Sequence, residues 1–276
     1  MMFSKSLVTR RTNQMIKLKS TGRAFSTSST CSTSDTVTTD QQDNGKQDSF
    51  NYTAIRNEIM DYWMKNEAAS PQGTATKARY CCFTLHDARQ SYLKTDANWH
   101  WLDRELSSNY AGETGAVHIY KGAICALNLR STDPASMEFC TTHMATESEH
   151  LAMFEKIVPK GKRTILIPIW KMAGWTLGFL PTMIGGSKAL YVTVEAVESF
   201  VEEHFHEQID PLTKEEACPE LVKLLKHCCE DEVHHKEDAA NQLLKANENL
   251  DSWWIKPWSQ IVTVGSKVAA EMARRI

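Results

Sequence analysis

The stretch TESEHLAMFEKI, residues 146–157, places Glu147 and His150 three positions apart in what reads as a helix. Residues i and i+3 share one helix face, so both side chains point the same way. Alone, such a pair is an ordinary charged surface. A second pair, Glu232 and His235, stands in CEDEVHHKEDA, residues 229–239. Each pair has a glutamate upstream: Glu113 in NYAGETGAVHIY (109–120) and Glu198 in VTVEAVESFVEEHF (192–205). Glu113 and Glu147 are 34 positions apart, and so are Glu198 and Glu232, so the whole set repeats at an offset of 85. This is the signature of a duplicated helical hairpin.

The spacing has a geometric meaning. The midpoint of 113 and 147 falls beside STDP, where Asp133 suits an N-cap and Pro134 a first helical turn. The midpoint of 198 and 232 falls between Pro211 and Pro219. Residues equidistant from the turn of an antiparallel pair sit at one height, about 20–25 Å from the turn at helical rise. Two such hairpins bring four carboxylates and two imidazoles to one level. That is the ligand set of a di-iron or di-manganese centre in a four-helix bundle. Four carboxylates neutralise two divalent ions, whereas burying them without metal would be prohibitive. Glu149, Glu195, Glu202, Glu230 and His234 stand close by, and the duplication selects against them. His204 lies on the helix carrying Glu198 and is expected to steady a ligand by a hydrogen bond. The remaining histidines, His143 among them, have no matching partner.

Around this core the periodicity predicts helices over 52–66, 97–129, 134–158, 182–209 and 219–246, with a last one opening at Pro257. The apolar block 165–184 is long enough to consider as a membrane span. Pro168, Lys171 and Pro181 interrupt it and Trp170 and Trp175 are amphipathic, so a helix lying at a membrane interface is expected. The alternative is a buried helix or an oligomer contact. Formal net charge is −3, which excludes a generally basic nucleic-acid binder. The first 34 residues carry six basic side chains and no acidic one. That composition predicts a mitochondrial transit segment over 1–25, cut after Phe25 in RAFS. Residues 26–96 are then a linker and N-terminal extension, partly disordered, and 97–276 the metal-binding domain. Eight cysteines without a C-x-x-C pair fit a reducing compartment such as the mitochondrial matrix.

In order and spacing, NYAGETGAVHIYKG, ESEHLAMFEKIVP, ILIPIWKMAGWTLG, VTVEAVESFVEEHFHEQI and DEVHHKEDA resemble the demethoxyubiquinone hydroxylases, the "clock-1" family of ubiquinone biosynthesis. The resemblance covers roughly residues 100 to 276. It implies an all-α, ferritin-like four-helix bundle with an interfacial apolar helix and a C-terminal helix. It implies a di-iron centre held by Glu113, Glu147, His150, Glu198, Glu232 and His235. The implied enzyme is a monooxygenase adding one oxygen atom of O2 to the ring of a polyprenyl demethoxyquinone. Electrons would come from NADH or through the quinone. It further implies peripheral attachment to inner-membrane lipid on the matrix side, and a lipid-binding protein of the same pathway as partner.

The sequence departs from the family pattern at several places. Asn109 and Tyr110 replace the usual Asp-His before the first ligand, Ser107 stands where an arginine is usual, and Phe205 where a tyrosine is usual. The C-terminal helix lacks the family's tyrosine. No departure removes a ligand, but together they bear on electron delivery and quinone positioning. Two other readings remain: a different ferritin-like di-iron oxidase, and a non-catalytic quinone-lipid scaffold.

Overall fold

Asp133 sets the register of the first hairpin. Its backbone is extended (φ −85°, ψ 108°) and its side chain accepts from the Ala135 amide, so it caps the helix that Pro134 opens. The computed structural model describes residues 50–69, 101–130, 133–245 and 252–275, all in one compact unit spanning 48–276. The expected transit segment, the linker up to 49 and residues 70–100 lie outside the described residues. Among the described residues there are six α-helices and no strand: α1 Tyr52–Ala69, α2 Trp101–Arg130, α3 Pro134–Ile157, α4 Ile167–Lys214, α5 Pro219–Lys245 and α6 Ile255–Arg275. The fold is an all-α, ferritin-like bundle of α2, α3, α4 and α5. Helix α6 crosses α2 and α4, and α1 packs on α3 and α5 through Ile55 and Ile59.

The apolar block and the helix carrying Glu198, expected as separate elements, are two helical limbs that meet at Gly186, whose backbone (φ 65°, ψ −154°) is not helical. Only glycine adopts that conformation without a steric penalty, so Gly186 interrupts the helix and lets the chain change direction between the two limbs. Both sides of the kink are tied to the same corner. The Arg130 guanidinium donates to the carbonyls of Met183 and Ile184, which end the first limb. Asp133 accepts from Ser187 Oγ (2.9 Å), which begins the second. The helix also runs past Pro211 to Lys214, beyond the expected end at 209, although Pro211 contributes no amide donor. Its carbonyl still accepts from the Glu215 amide at 3.0 Å.

The first limb of α4 is neither wholly buried nor wholly free. On one side Gly174 and Gly178 let its backbone touch that of α2: a Cβ at Gly178 would lie 1.8 Å from the Ile119 carbonyl oxygen. On the other, Ile169, Met172, Leu180, Met183 and Ile184 are exposed. No helix among the described residues is long and apolar enough to cross a membrane. Two apolar clusters fill the bundle, one around Leu106, Phe154, Phe205 and Leu224, the other around Tyr120, Phe139, Leu190 and Leu243. On each of the four helices the candidate ligands fall between the residues of these clusters. The centre is therefore clamped by dry packing on both sides.

Candidate metal centre

Glu113 comes from α2, Glu147 and His150 from α3, Glu198 from α4, and Glu232 and His235 from α5. All six are buried, none more than 4% exposed. Their ligand atoms form two sets, each within 4.8 Å throughout: Glu113, Glu147, His150 and Glu232, and Glu147, Glu198, Glu232 and His235. The sets share Glu147 and Glu232. Each set adds one glutamate and one histidine of its own. Such a cluster could hold metal ions, with Glu147 and Glu232 within reach of both sets. The competing side chains turn away: Glu149, Glu230 and His234 are exposed, and Glu202 pairs with Lys236.

The electrostatics show that the centre lacks positive charge. Burial pushes Glu113, Glu147 and Glu198 above the usual carboxylate range, and the neighbouring carboxylates add to it. Burial acts the same way on Glu232, but hydrogen bonds with His150 and His235 outweigh it and hold it at about 2. Burial would lower both histidines, yet their neighbours win: Cys228, Asp231, Glu232 and Glu113 around His150, and Glu147 and Glu232 around His235. His150 rises well above its usual value and His235 goes up to about 9. Protons thus gather where cations would sit. Among the described residues, Glu113 Oε2 and both oxygens of Glu147 are buried without a hydrogen-bond partner. Glu147 Oε1 is 3.1 Å from His235 Nδ1, without hydrogen-bond geometry. Unsatisfied buried carboxylate oxygens are costly, and two divalent ions would satisfy and neutralise them together. The donor set fits such ions.

The structure adds residues that the sequence pattern did not single out. His150 directs Nδ1 at Glu232 (3.1 Å) and Nε2 at Asp231 (3.0 Å). A carboxylate on the far nitrogen fixes ring orientation and raises basicity at the metal-facing one. Around His235 the support is aromatic. The His143 ring stands edge-on at 4.3 Å, itself anchored to Asp238 at 2.9 Å. His143 lies seven residues before His150 on the same helix face, which was its one sequence signal. His204 takes its polar contacts elsewhere: Nδ1 is 2.9 Å from Arg274 Nη2 of α6.

The unusual positions before Glu113 fit local partners. Asn109 and Gln208 exchange two amide hydrogen bonds (2.8 and 2.9 Å). Ser107 and Ser108 donate to the carbonyls of Ala273 and Ala270, docking α6. Tyr110 lies under the Arg163 guanidinium, 4.4 Å from ring centroid to carbon. Phe205 is core, beside Phe154.

A cavity of about 520 Å³ reaches the centre from outside. Its walls come from α2, both limbs of α4 and α6, and are almost wholly apolar: Ala116, Trp170, Leu177, Val197 and Phe200 among them. Glu113, Glu147, Glu198 and Glu232 line its inner end. Ile169, Ile261, Val268 and Met272 also line it and are exposed, so its mouth opens among apolar side chains.

Comparison with known proteins agrees with this architecture. The family model of ubiquinone biosynthesis protein COQ7 matches residues 100–273. The NADPH-dependent 3-demethoxyubiquinone 3-hydroxylase of Dictyostelium discoideum mitochondria is 30% identical over 178 residues, covering 63% of this chain and 77% of that one. Its Homo sapiens counterpart is 29% identical over 182 residues, 63% of this chain and 78% of that one. The 3-demethoxyubiquinol 3-hydroxylase of Rhodospirillum rubrum is 36% identical over 118 residues, 42% of this chain and 53% of that one.

Proposed function

We propose that this chain, which belongs to the COQ7 family of ubiquinone biosynthesis proteins, hydroxylates the ring of a polyprenyl demethoxyubiquinone at a di-iron centre. The ligands in this reading are Glu113, Glu147, His150, Glu198, Glu232 and His235. The observation that carries it is the pair of overlapping ligand sets at the inner end of an apolar cavity. Bound iron would supply activation of O2, so that one oxygen atom enters the ring and the other leaves as water with two electrons and two protons.

The chain's own residues do the rest. Glu147 and Glu232, shared by both sets, would be held in common by two ions. Glu113 with His150, and Glu198 with His235, would complete one site each. Asp231 and His143 keep the imidazoles aimed. The apolar wall admits a hydrophobic ring and tail and keeps water from the reacting edge. The exposed apolar side chains at the mouth suit a membrane surface, from which a polyprenyl substrate could enter without crossing water. We place the protein on the matrix face of the mitochondrial inner membrane, with a lipid-binding protein of the pathway as partner. A reduced nicotinamide nucleotide is the reductant, acting directly or through the quinone.

The test is a product assay. Full-length protein is loaded anaerobically with ferrous iron and given a short-chain demethoxyquinone, NADH and O2. The expected product is heavier by one oxygen atom and absent in Glu198→Ala. Oxygen uptake with two bound irons but no such product would assign the centre to a different oxidase. Failure to bind iron would leave the scaffold reading.

A further inference from the structure

Apart from the carboxylates of the centre, one residue lining the cavity carries a buried polar atom with no partner among the described residues: His204, at Nε2. The other buried polar groups there are occupied. Ser108 bonds the Ala270 carbonyl and Asn109 bonds Gln208. His204 is only 5% exposed, so water does not compensate Nε2. Native proteins rarely leave such a group unmatched unless something else comes to meet it.

The identity of that group follows from its neighbour. Arg274 Nη2 stands 2.9 Å from His204 Nδ1, and a guanidinium can only donate. Nδ1 therefore accepts, and the ring hydrogen sits on Nε2. A protonated ring, with Nδ1 serving Glu207 Oε2 at 3.7 Å or Glu105 Oε2 at 3.8 Å, would also carry a hydrogen on Nε2. Both states leave an N–H donor on Nε2 of a residue that lines the cavity. Arg274 is held in turn by Glu105 (3.0 Å), Glu207 (2.9 Å) and Glu271 (3.2 Å), so α6 locks the imidazole in place.

We propose that His204 is a substrate-binding residue whose Nε2–H donates to a ring oxygen of the quinone, and that Arg274 is the positioning residue that keeps the hydrogen on that nitrogen. The inference rests on the quinone reading above. It gives an otherwise apolar cavity one directional contact outside the carboxylate cluster. An apolar wall selects a flat hydrophobic ring but cannot choose its rotation. A single fixed donor can, and so decides which ring carbon faces the centre.

The test compares two probes on the full-length chain: a short-chain demethoxyquinone, and a prenylated arene of the same size without ring oxygens. Quenching of the tryptophans lining the cavity, Trp170 and Trp258, reports binding. His204→Leu should weaken quinone binding about ten-fold, the worth of one hydrogen bond to a fixed donor, and leave the arene unchanged. His204→Gln, which keeps an N–H donor, should recover most of the loss. Infrared difference spectra should show a bound quinone carbonyl stretch shifted to lower frequency in the native protein and in His204→Gln, but not in His204→Leu. Equal quinone binding by His204→Leu overturns the proposal and leaves the quinone reading standing. So does an unshifted carbonyl in the native protein, which needs no variant to fold. Binding of the arene but not of the quinone overturns both.

Discussion

Replacing Gly178 by alanine should destabilise the protein although alanine is the better helix former. The first limb of α4 touches α2 backbone to backbone at this residue. An added Cβ would lie 1.8 Å from the Ile119 carbonyl oxygen, 2.7 Å from its carbon and 3.0 Å from the Ala123 nitrogen. An ordinary carbon–oxygen contact needs about 3.3 Å, so the helices must part by roughly 1.5 Å. None of the obstructing atoms belongs to a side chain that could rotate away. Overpacking of this kind costs about 1–3 kcal/mol, against a gain of about 0.5–1 kcal/mol from removing a helical glycine. The steric term wins, for a net loss of about 1–2 kcal/mol, or a fall in Tm of roughly 2–8 °C for a domain of this size. Gly115 on α2, whose backbone Gly174 meets, is the control. A Cβ there meets nothing within 4 Å, so Gly115→Ala should raise Tm by about 1–4 °C. Melting of both variants, metal-free under chelator, decides the matter. A Gly178→Ala protein as stable as the native one, or a Gly115→Ala protein that falls with it, would refute the close-contact reasoning.

Glu232 belongs to both ligand sets and Glu198 to one. Metal analysis should therefore find almost no iron in Glu232→Ala and about one ion remaining in Glu198→Ala; equal losses would contradict shared bridging. Asp231→Ala removes only the carboxylate behind His150 and should weaken iron affinity about 10–100-fold with helicity intact, as followed by chelator competition and circular dichroism. Burial, assisted by the charge of His235, pushes His143 down to about 4. The unfolded chain then binds a proton at about 6.5 that the folded one refuses, so stability falls as pH drops from about 6.5 to 4 and this contribution levels off below. The shift corresponds to about 3 kcal/mol over that window. Denaturant midpoints of the metal-free protein should show a shallower pH slope in His143→Phe; an identical slope would remove His143 as the source.

The bundle was readable because its constraint is periodic. Four glutamates and two histidines at an offset of 85 residues are meaningful only if two hairpins face each other, and those six side chains are the ones that meet. Asp133 and Pro134 announced their helix start for a local reason that tertiary packing does not override. What escaped reading depends on partners far apart in sequence. Asp231 could not be told from Glu230 by spacing, and only the approach of α3 brings it to His150 Nε2. His204 was expected beside the ligands because it shares their helix. It lies six residues beyond Glu198, and its Nδ1 turns to an arginine 70 residues away. The glycines of α4 had no role legible in the sequence. They are where two backbones meet, and sequence does not show which helix a glycine faces.

Helix α4 joins the parts of the molecule that function requires to be joined. Its second limb carries Glu198 and its first carries the exposed apolar surface, so the kink at Gly186 relates the centre to the mouth of the cavity. A glycine at a kink is by itself a hinge. Here a cation closes the carbonyl end of one limb and an anion meets the start of the other, and both come from Arg130 and Asp133 at the α2–α3 corner. Each charge also opposes the helix dipole it faces, positive at a C-terminus and negative at an N-terminus, which adds to the hydrogen bonds. That corner is the same point from which Glu113 and Glu147 are measured out along their helices. The spacing that aligns the ligands and the clamp that aims the apolar limb thus share one origin. A change at Arg130 would therefore loosen the limb without displacing the carboxylates, which separates access to the centre from its assembly.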